Sequence, residues 1–230
     1  MRLFSVIILL FLSISFVRDQ QTPIGAWEHI DSNMVQTLII ADDYFTIANY
    51  NLEEKKFGDT YGGTARFTKA GMSGKIEFSS SKKEMIGKSY QYTVSRQGNE
   101  MVITRNGKRD LWKRVDDGKA ALSGNWRLAS REQNGKMVPM TTGSRKTIKV
   151  MSATRFQWAA INTETGEFFG TGGGRYSLKD GKYTEMIEFF SRDSSRVGMS
   201  LVFNALIDGS EWMHSGKSSK GDPLKEIWLR

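Results

Sequence analysis

Shifted by 111 residues, the chain overlays on itself. Phe45, Ala48 and Asn51 fall on Phe156, Ala159 and Asn162, Phe57 on Phe168, Thr60 on Thr171, and Gly62-Gly63 on Gly173-Gly174. Ile76-Glu77-Phe78 falls on Ile187-Glu188-Phe189, Gly87 on Gly198, and Gly98 with Glu100 on Gly209 with Glu211. One residue is gained before Phe156, and the loop Arg131 to Ser144 is longer than its counterpart. After an insertion from Ser218 to Pro223, Leu111-Trp112-Lys113-Arg114 pairs with Ile227-Trp228-Leu229-Arg230. Self-similarity over this length is the mark of a duplicated unit. It divides the chain into homologous domains at 22–117 and 118–230, joined through the polar, glycine-containing stretch 115–121.

Each copy alternates apolar and polar residues with a period of two, as in Tyr44–Tyr50 and Ser89–Ser95, and neither sustains a helical period. Ala41-Asp-Asp43, Lys69-Ala-Gly71, Gln97-Gly-Asn99, Asn106-Gly107, Asp180-Gly181 and Asp208-Gly209 punctuate the alternation with tight-turn chemistry. The first copy resolves into eight strands near 25–30, 36–41, 44–51, 57–67, 72–80, 86–95, 100–105 and 109–115. The expected fold class is all-β: two tandem eight-stranded up-and-down antiparallel barrels, closed so that no edge is exposed. Gly62-Gly63 and Gly173-Gly174 lie within strand sequence, where glycine marks a bulge, a bend or a close backbone approach. The run Thr171–Arg175 lacks the Lys-Ser/Thr ending and following helix of a phosphate loop.

Gly25-Ala-Trp27 opens the first copy and Gly124-Asn-Trp126 the second, and each copy closes on Trp-x-Arg, ending at Arg114 and Arg230. This pattern resembles the lipocalins and the broader calycin superfamily, in the short form common among secreted bacterial proteins. The resemblance spans nearly both copies. It implies that Trp27 and Trp126 plug the closed ends of their barrels, with Arg114 and Arg230 lying across them through cation–π contact and backbone hydrogen bonds. The chain departs from typical lipocalins in its shorter loops, its missing disulfide and the absence of a flanking helix.

The sequence contains no cysteine, which excludes disulfides, thiolate metal sites and cysteine nucleophiles, and only two histidines, His29 and His214. Met1-Arg2 followed by an apolar run from Leu3 to Val17 reads as an export signal over 1–20, with an uncleaved anchor as the alternative. A bacterial envelope protein, secreted or periplasmic, is the expected setting. The chain has a net charge of +8. Gly118–Arg230 carries +6 of it, from 17 Lys and Arg against 11 Asp and Glu. That half suits an anionic surface, or is simply a solvated basic face. No basic run suits nucleic acid, and beyond Arg18 nothing reaches membrane-spanning length.

An eight-stranded barrel is either filled by side chains or holds one small ligand. Aromatic residues at inward parity set the candidates: Trp158, Tyr176, Phe189, Phe203 and Trp212 in the second copy, and Phe45, Phe78, Tyr90 and Tyr92 in the first. His214 shares parity with Trp212 and replaces Ile103, so it points inward on this reading, where a buried hydrogen-bonded histidine and a haem ligand are the alternatives. Glu77 and Glu188 are expected on the outward face, without a catalytic partner. No catalytic constellation, metal site or cofactor is assigned. The expected function is an exported binding protein holding a small apolar or amphipathic molecule. The alternative is an interaction module with filled barrels that contacts an envelope protein, a lipid surface or a protease.

Overall fold

Two-residue turns fold several of the alternating segments back on the last. Asn106-Gly107 and Asp180-Gly181 both take positive φ at each residue, 50° with 77° and 51° with 71°, the conformation whose twist matches flanking antiparallel strands. A computed structural model describes residues 23–68 and 71–230; the segment read as an export signal lies outside the described residues. The first copy forms β1 (Gly25–Asp31), β2 (Met34–Ala41), β3 (Tyr44–Asn51), β4 (Lys56–Thr68), β5 (Gly71–Ser79), β6 (Ser89–Gln97), β7 (Glu100–Arg105) and β8 (Lys108–Asp116). Each strand pairs antiparallel with the next, and β1 pairs with β8 to close the barrel.

The second copy forms β9 (Gly124–Gln133), β10 (Lys136–Pro139), β11 (Arg145–Met151), β12 (Arg155–Asn162), β13 (Phe168–Lys179), β14 (Lys182–Phe190), β15 (Ser200–Asp208), β16 (Glu211–Lys217) and β17 (Pro223–Leu229). Eight of these close through pairing of β9 with β17, and β10 is an extra strand hydrogen-bonded only to the far end of β9. The stretch expected as a long loop is therefore partly sheet. Asn134-Gly135, at φ 50° and 75°, turns it into a hairpin.

Each tryptophan of the Gly-x-Trp pairs is fully buried at one end of its barrel. Trp27 Nε1 donates to the Pro23 carbonyl at 2.8 Å, and the Arg114 guanidinium lies 5.3 Å from its ring while donating to the Ile24 and Asp116 carbonyls. Trp126 Nε1 donates to the Leu122 carbonyl at 2.8 Å, and Arg230 lies 4.6 Å from its ring while donating to the Ser123 carbonyl. The cation thus ties the last strand to the segment entering the first.

The barrels dock through the outer faces of β2, β3, β11 and β12. Ile39, Ala41, Tyr44 and Phe78 pack with Ile148, Val150, Ala159 and Ile161, and Ala48 and Tyr50 pack with Phe189. The docking repeats itself under the duplication. Phe78 stacks on Phe168 with centroids 6.4 Å apart, and Phe189 stacks on Phe57 at 6.2 Å; 78 matches 189 and 57 matches 168. The same positions meet in both directions, as in a two-fold symmetric dimer interface. Gln157 Nε2 donates to both Thr60 and Thr171, themselves a duplicated pair.

Polar contacts frame this apolar centre. Arg155 bridges Glu28 at 2.6 Å and Glu188 at 3.3 Å, and Lys146 pairs with Glu77 at 2.9 Å. Asp116, at the end of β8, accepts from the backbone of Ala26, Gly118, Ala153 and Thr154 and from the hydroxyls of Ser152 and Thr154. Burial alone would raise its pKa. The donors from Thr154, Ser152, Ala153 and Gly118 outweigh that effect and hold it below the usual carboxylate value.

Two outcomes follow. Trp126→Ala should destabilise the second barrel by about 3–5 kcal/mol, the usual cost of deleting a large buried aromatic, read from denaturant midpoints. Asp116→Ala should cost about 2–3 kcal/mol through lost charge-assisted hydrogen bonds. Because its folded pKa is depressed, the wild-type contribution is full above the ordinary carboxylate pKa of about 4 and fades as pH falls through the lower folded value. The variant should lose that part of the pH dependence.

Candidate functional site

The two barrels diverge most at inward positions. β11 places Lys149 where β2 has Leu38, each paired with the plug tryptophan of its own barrel. β14 places Glu185 at the position of Gly74, β16 places His214 at that of Ile103, and β17 places Glu226 at that of Asp110. In the first barrel Trp27, Leu38, Phe45, Ile47, Met72, Tyr92, Met101 and Ile103 pack into one apolar cluster. Gly74 leaves no side chain there: a Cβ would stand 3.0 Å from the Phe45 ring and 3.4 Å from the Tyr92 ring.

The second barrel contains an open-mouthed cavity of about 750 Å³, within the range of small-molecule sites. Leu128, Trp158, Ile187, Phe190, Leu201 and Phe203 supply its apolar walls. Its lining runs to the end of the barrel opposite Trp126, where Pro139 of β10, Met140 and Thr141 stand on one side. The inserted residues Ser218, Ser219 and Lys220 stand on the other. The two segments in which the second copy is longer than the first therefore frame the mouth. Arg196 donates to the Ser219 carbonyl and anchors the insertion.

At the deep end the lining is ionic. Lys149 Nζ lies 2.9 Å from Glu185 Oε1, and Tyr183 Oη donates to the same oxygen at 2.8 Å. The ammonium also sits 4.9–5.7 Å from the rings of Trp228, Trp212, Tyr183 and Phe156, so its charge is shared between a carboxylate and an aromatic cage. Burial, followed by the Glu185 charge, pushes the Tyr183 hydroxyl well above its ordinary pKa, which keeps it a donor.

Beside this pair, His214 Nε2 stands 2.7 Å from Glu226 Oε2. Trp228 Nε1 donates to that oxygen at 3.1 Å, and Arg131 Nε and Nη2 donate to Glu226 Oε1 at 2.8 and 2.5 Å. Burial would raise the Glu226 pKa, but the His214 hydrogen bond and the nearby charges of Arg131 and Lys149 hold it well below the usual carboxylate value. Burial moves His214 the other way, below its ordinary value, against the pull of Glu226. A neutral imidazole beside an ionised carboxylate assigns the proton to Nε2. Its Nδ1 is buried with no hydrogen-bond partner among the described residues.

The aromatic candidates separate into three groups. Trp158 and Phe203 line the cavity. Tyr176 and Trp212 are buried in the second barrel's core, Tyr176 donating to the Ser152 carbonyl, while Phe45, Tyr90 and Tyr92 pack in the first barrel, where Arg105 lies 4.8 and 5.9 Å from the Tyr90 and Tyr92 rings. Phe78 and Phe189 stand outside their barrels, at the docking face. Opposite Gly62-Gly63 and Gly173-Gly174 the register skips Glu77 and Glu188, and such a bulge breaks the alternation. Glu77 and Glu188 are taken up by docking partners: Tyr44 and Lys146 reach the first, and Tyr50, Arg155 and Arg175 the second. His214 faces inward, but Nε2, the nitrogen that usually binds haem iron, is committed to Glu226.

Lys149, Glu185, Glu226 and Arg131 are absent from the sequence-derived candidates. A signal for three of them was present: charged residues in the second copy where the first has Leu38 and Gly74, and Glu226 two residues from Trp228. Among the described residues no group of three or more His, Asp or Glu is placed to hold a metal ion.

Removing one member of a buried ion pair leaves the other uncompensated, so Glu226→Ala should cost about 3–5 kcal/mol. Glu226 and His214 both have lowered folded pKa values, so each contributes fully above its unfolded pKa and loses that contribution on acidification. Denaturation followed between pH 7 and 2 should show wild-type stability declining from about pH 6.5 as His214 is penalised, then more steeply below about 4.5. In the variant the lower step should be missing.

No curated protein matches the chain. A family model described as a domain of unknown function, DUF4488, matches residues 121–230, which cover the second barrel and its hollow and leave out the first.

Proposed function

We propose that the chain is an exported binding protein of the calycin type that carries a small amphipathic molecule in its second barrel. The observation that carries this reading is the 750 Å³ hollow, with an apolar wall and an ionic floor. Folding does not tend to leave so much apolar surface unfilled without an occupant, because a void forfeits the dispersion contacts of its lining. The first barrel, packed through by apolar side chains, serves as a platform. Its docking face fixes β11 and β12, which supply Lys149 and Trp158 to the site. Arg145, Arg192 and Lys220 around the mouth favour an anionic surface as the place where the ligand is taken up or delivered.

Native mass spectrometry of protein purified from its producing organism should show a small molecule that leaves on denaturation. Ala160, inward-facing beside Trp158 and Phe190 in the lining, offers a block: Ala160→Trp should cut loading at least tenfold while the fold, monitored by circular dichroism, persists. Protein that carries no adduct and binds no apolar or amphipathic probe would overturn the reading.

A further inference from the structure

His214, one of the residues lining the hollow, carries a buried acceptor with nothing to accept from. His214 is 2% exposed, lines the cavity and gives its Nε2 hydrogen to Glu226, which leaves the Nδ1 lone pair unpaired. A buried polar atom in that state costs free energy that a suitable partner recovers. Among the described residues Trp212 Nε1, its ring 4.9 Å from that of His214, is also buried without a partner but lies outside the cavity lining, whereas the carboxylates of the lining are satisfied. Glu226 accepts from His214, Trp228 and Arg131, and Glu185 accepts from Lys149 and Tyr183.

The charges facing this point narrow what the partner can be. The two cations Lys149 and Arg131, the latter reaching in from the mouth end of β9, are balanced by the two carboxylates Glu185 and Glu226, so the charge around His214 is close to balanced. A carboxylate or phosphate head has no hydrogen to offer Nδ1 and would meet Glu185 and Glu226. An ammonium head would donate, but beside the ammonium of Lys149. An ether or ester oxygen only accepts. A neutral hydroxyl meets none of these objections, since it donates through its hydrogen and keeps lone pairs for neighbouring donors.

We infer that His214 is the specificity-determining residue of the hollow and that the ligand is an amphiphile entering head-first with a neutral hydroxyl, which donates to Nδ1 while its hydrocarbon part lies along Trp158, Phe190, Leu201 and Phe203. This rests on the ligand-carrier reading above and adds the chemical class of the ligand. The site rejects an isostere lacking the hydrogen because Nδ1 is then left unpaired, the asymmetry by which polar pockets discriminate.

Isothermal titration calorimetry with decan-1-ol, 1-methoxydecane, decanoate and decylamine tests it. The alcohol should bind the wild-type protein about five- to tenfold more tightly than its methyl ether, the range of one net hydrogen bond, and more tightly than either charged analogue. His214→Phe keeps a ring in place and removes the Nδ1 acceptor, while Glu226 retains Trp228 and Arg131 as donors. In that variant the alcohol and ether should agree within about twofold, with ether binding retained. A measurement on the unmutated protein stands beside it: the Nδ1 nitrogen-15 resonance of His214 should shift with the alcohol and not with the ether. Equal affinity for alcohol and ether in the wild type, or an alcohol preference that survives His214→Phe, overturns the inference and leaves the carrier reading standing. If none of the four compounds binds, both fall together.

Discussion

A skipped residue in β14, repeated in β5, turns the end of each strand inside out. In a regular strand Ile187 and Phe189 would face the same way. Gly173 pairs with Phe189 and Gly174 with Ile187, so Glu188 has no partner opposite and the alternation reverses. Ile187 stays inside the barrel while Phe189 leaves it to pack on Tyr50 and Phe57. The glycines make this possible: a Cβ on Gly174, whose φ is 152°, would stand 2.2 Å from the Met186 carbonyl, and one on Gly63 would stand 1.9 Å from that of Lys75. One irregularity thus removes a large ring from the interior of each barrel and supplies it to the docking face.

The docking that results behaves as a dimer interface whose subunits have been joined end to end. Paired rings at 78 with 168 and 189 with 57 give it two equivalent halves, and Gln157 reaches Thr60 and Thr171 between them. Symmetry is broken where polar chemistry takes over. Arg155 occupies the position of Tyr44, and through it Glu28 and Glu188 are drawn into one ionic cluster with Arg175. Side chains here are held from both barrels at once, so β11 and β12 are fixed on their outer faces as well as their inner ones. That rigidity matters for the hollow, because Lys149 and Trp158 on those two strands are placed by it.

Much of this was legible in the sequence. The duplication, the strand order, the closed meanders and the pairing of each Gly-x-Trp with a terminal arginine all follow from patterns repeated over tens of residues, where one misplaced residue changes little. The sites were less legible because they turn on single residues. Parity counting put Phe78 and Phe189 inside, and a one-residue bulge moved both out. Arg131 falls in a loop by its sequence, but Asn134-Gly135 extends β9 and brings its side chain back to Glu226. Lys149 and Glu185 carry no inward signal of their own because charged residues are expected on the solvated face. Only comparison with Leu38 and Gly74 marks them as inward.

That comparison also explains why the two copies can differ so much in their interiors while keeping one fold. The elements that close a barrel are the plug, the arginine across it and the bulge with its glycines, and both copies retain all of them. None depends on which side chains fill the remaining inward positions. Those positions are free to carry either Leu38, Gly74 and Ile103, which let Phe45 and Tyr92 close over the space, or Lys149, Glu185 and His214, which keep it open. Buried charges of the second kind add little to stability even when well paired, and a hollow adds less than a filled core. The second barrel compensates by leaning on its neighbour: Ile148, Val150, Ala159 and Ile161, on the outer faces of the strands that carry Lys149 and Trp158, are all buried against the first. A filled copy and a hollow copy are in this sense one unit, with the packing concentrated where no ligand is held and the polar groups concentrated where one fits.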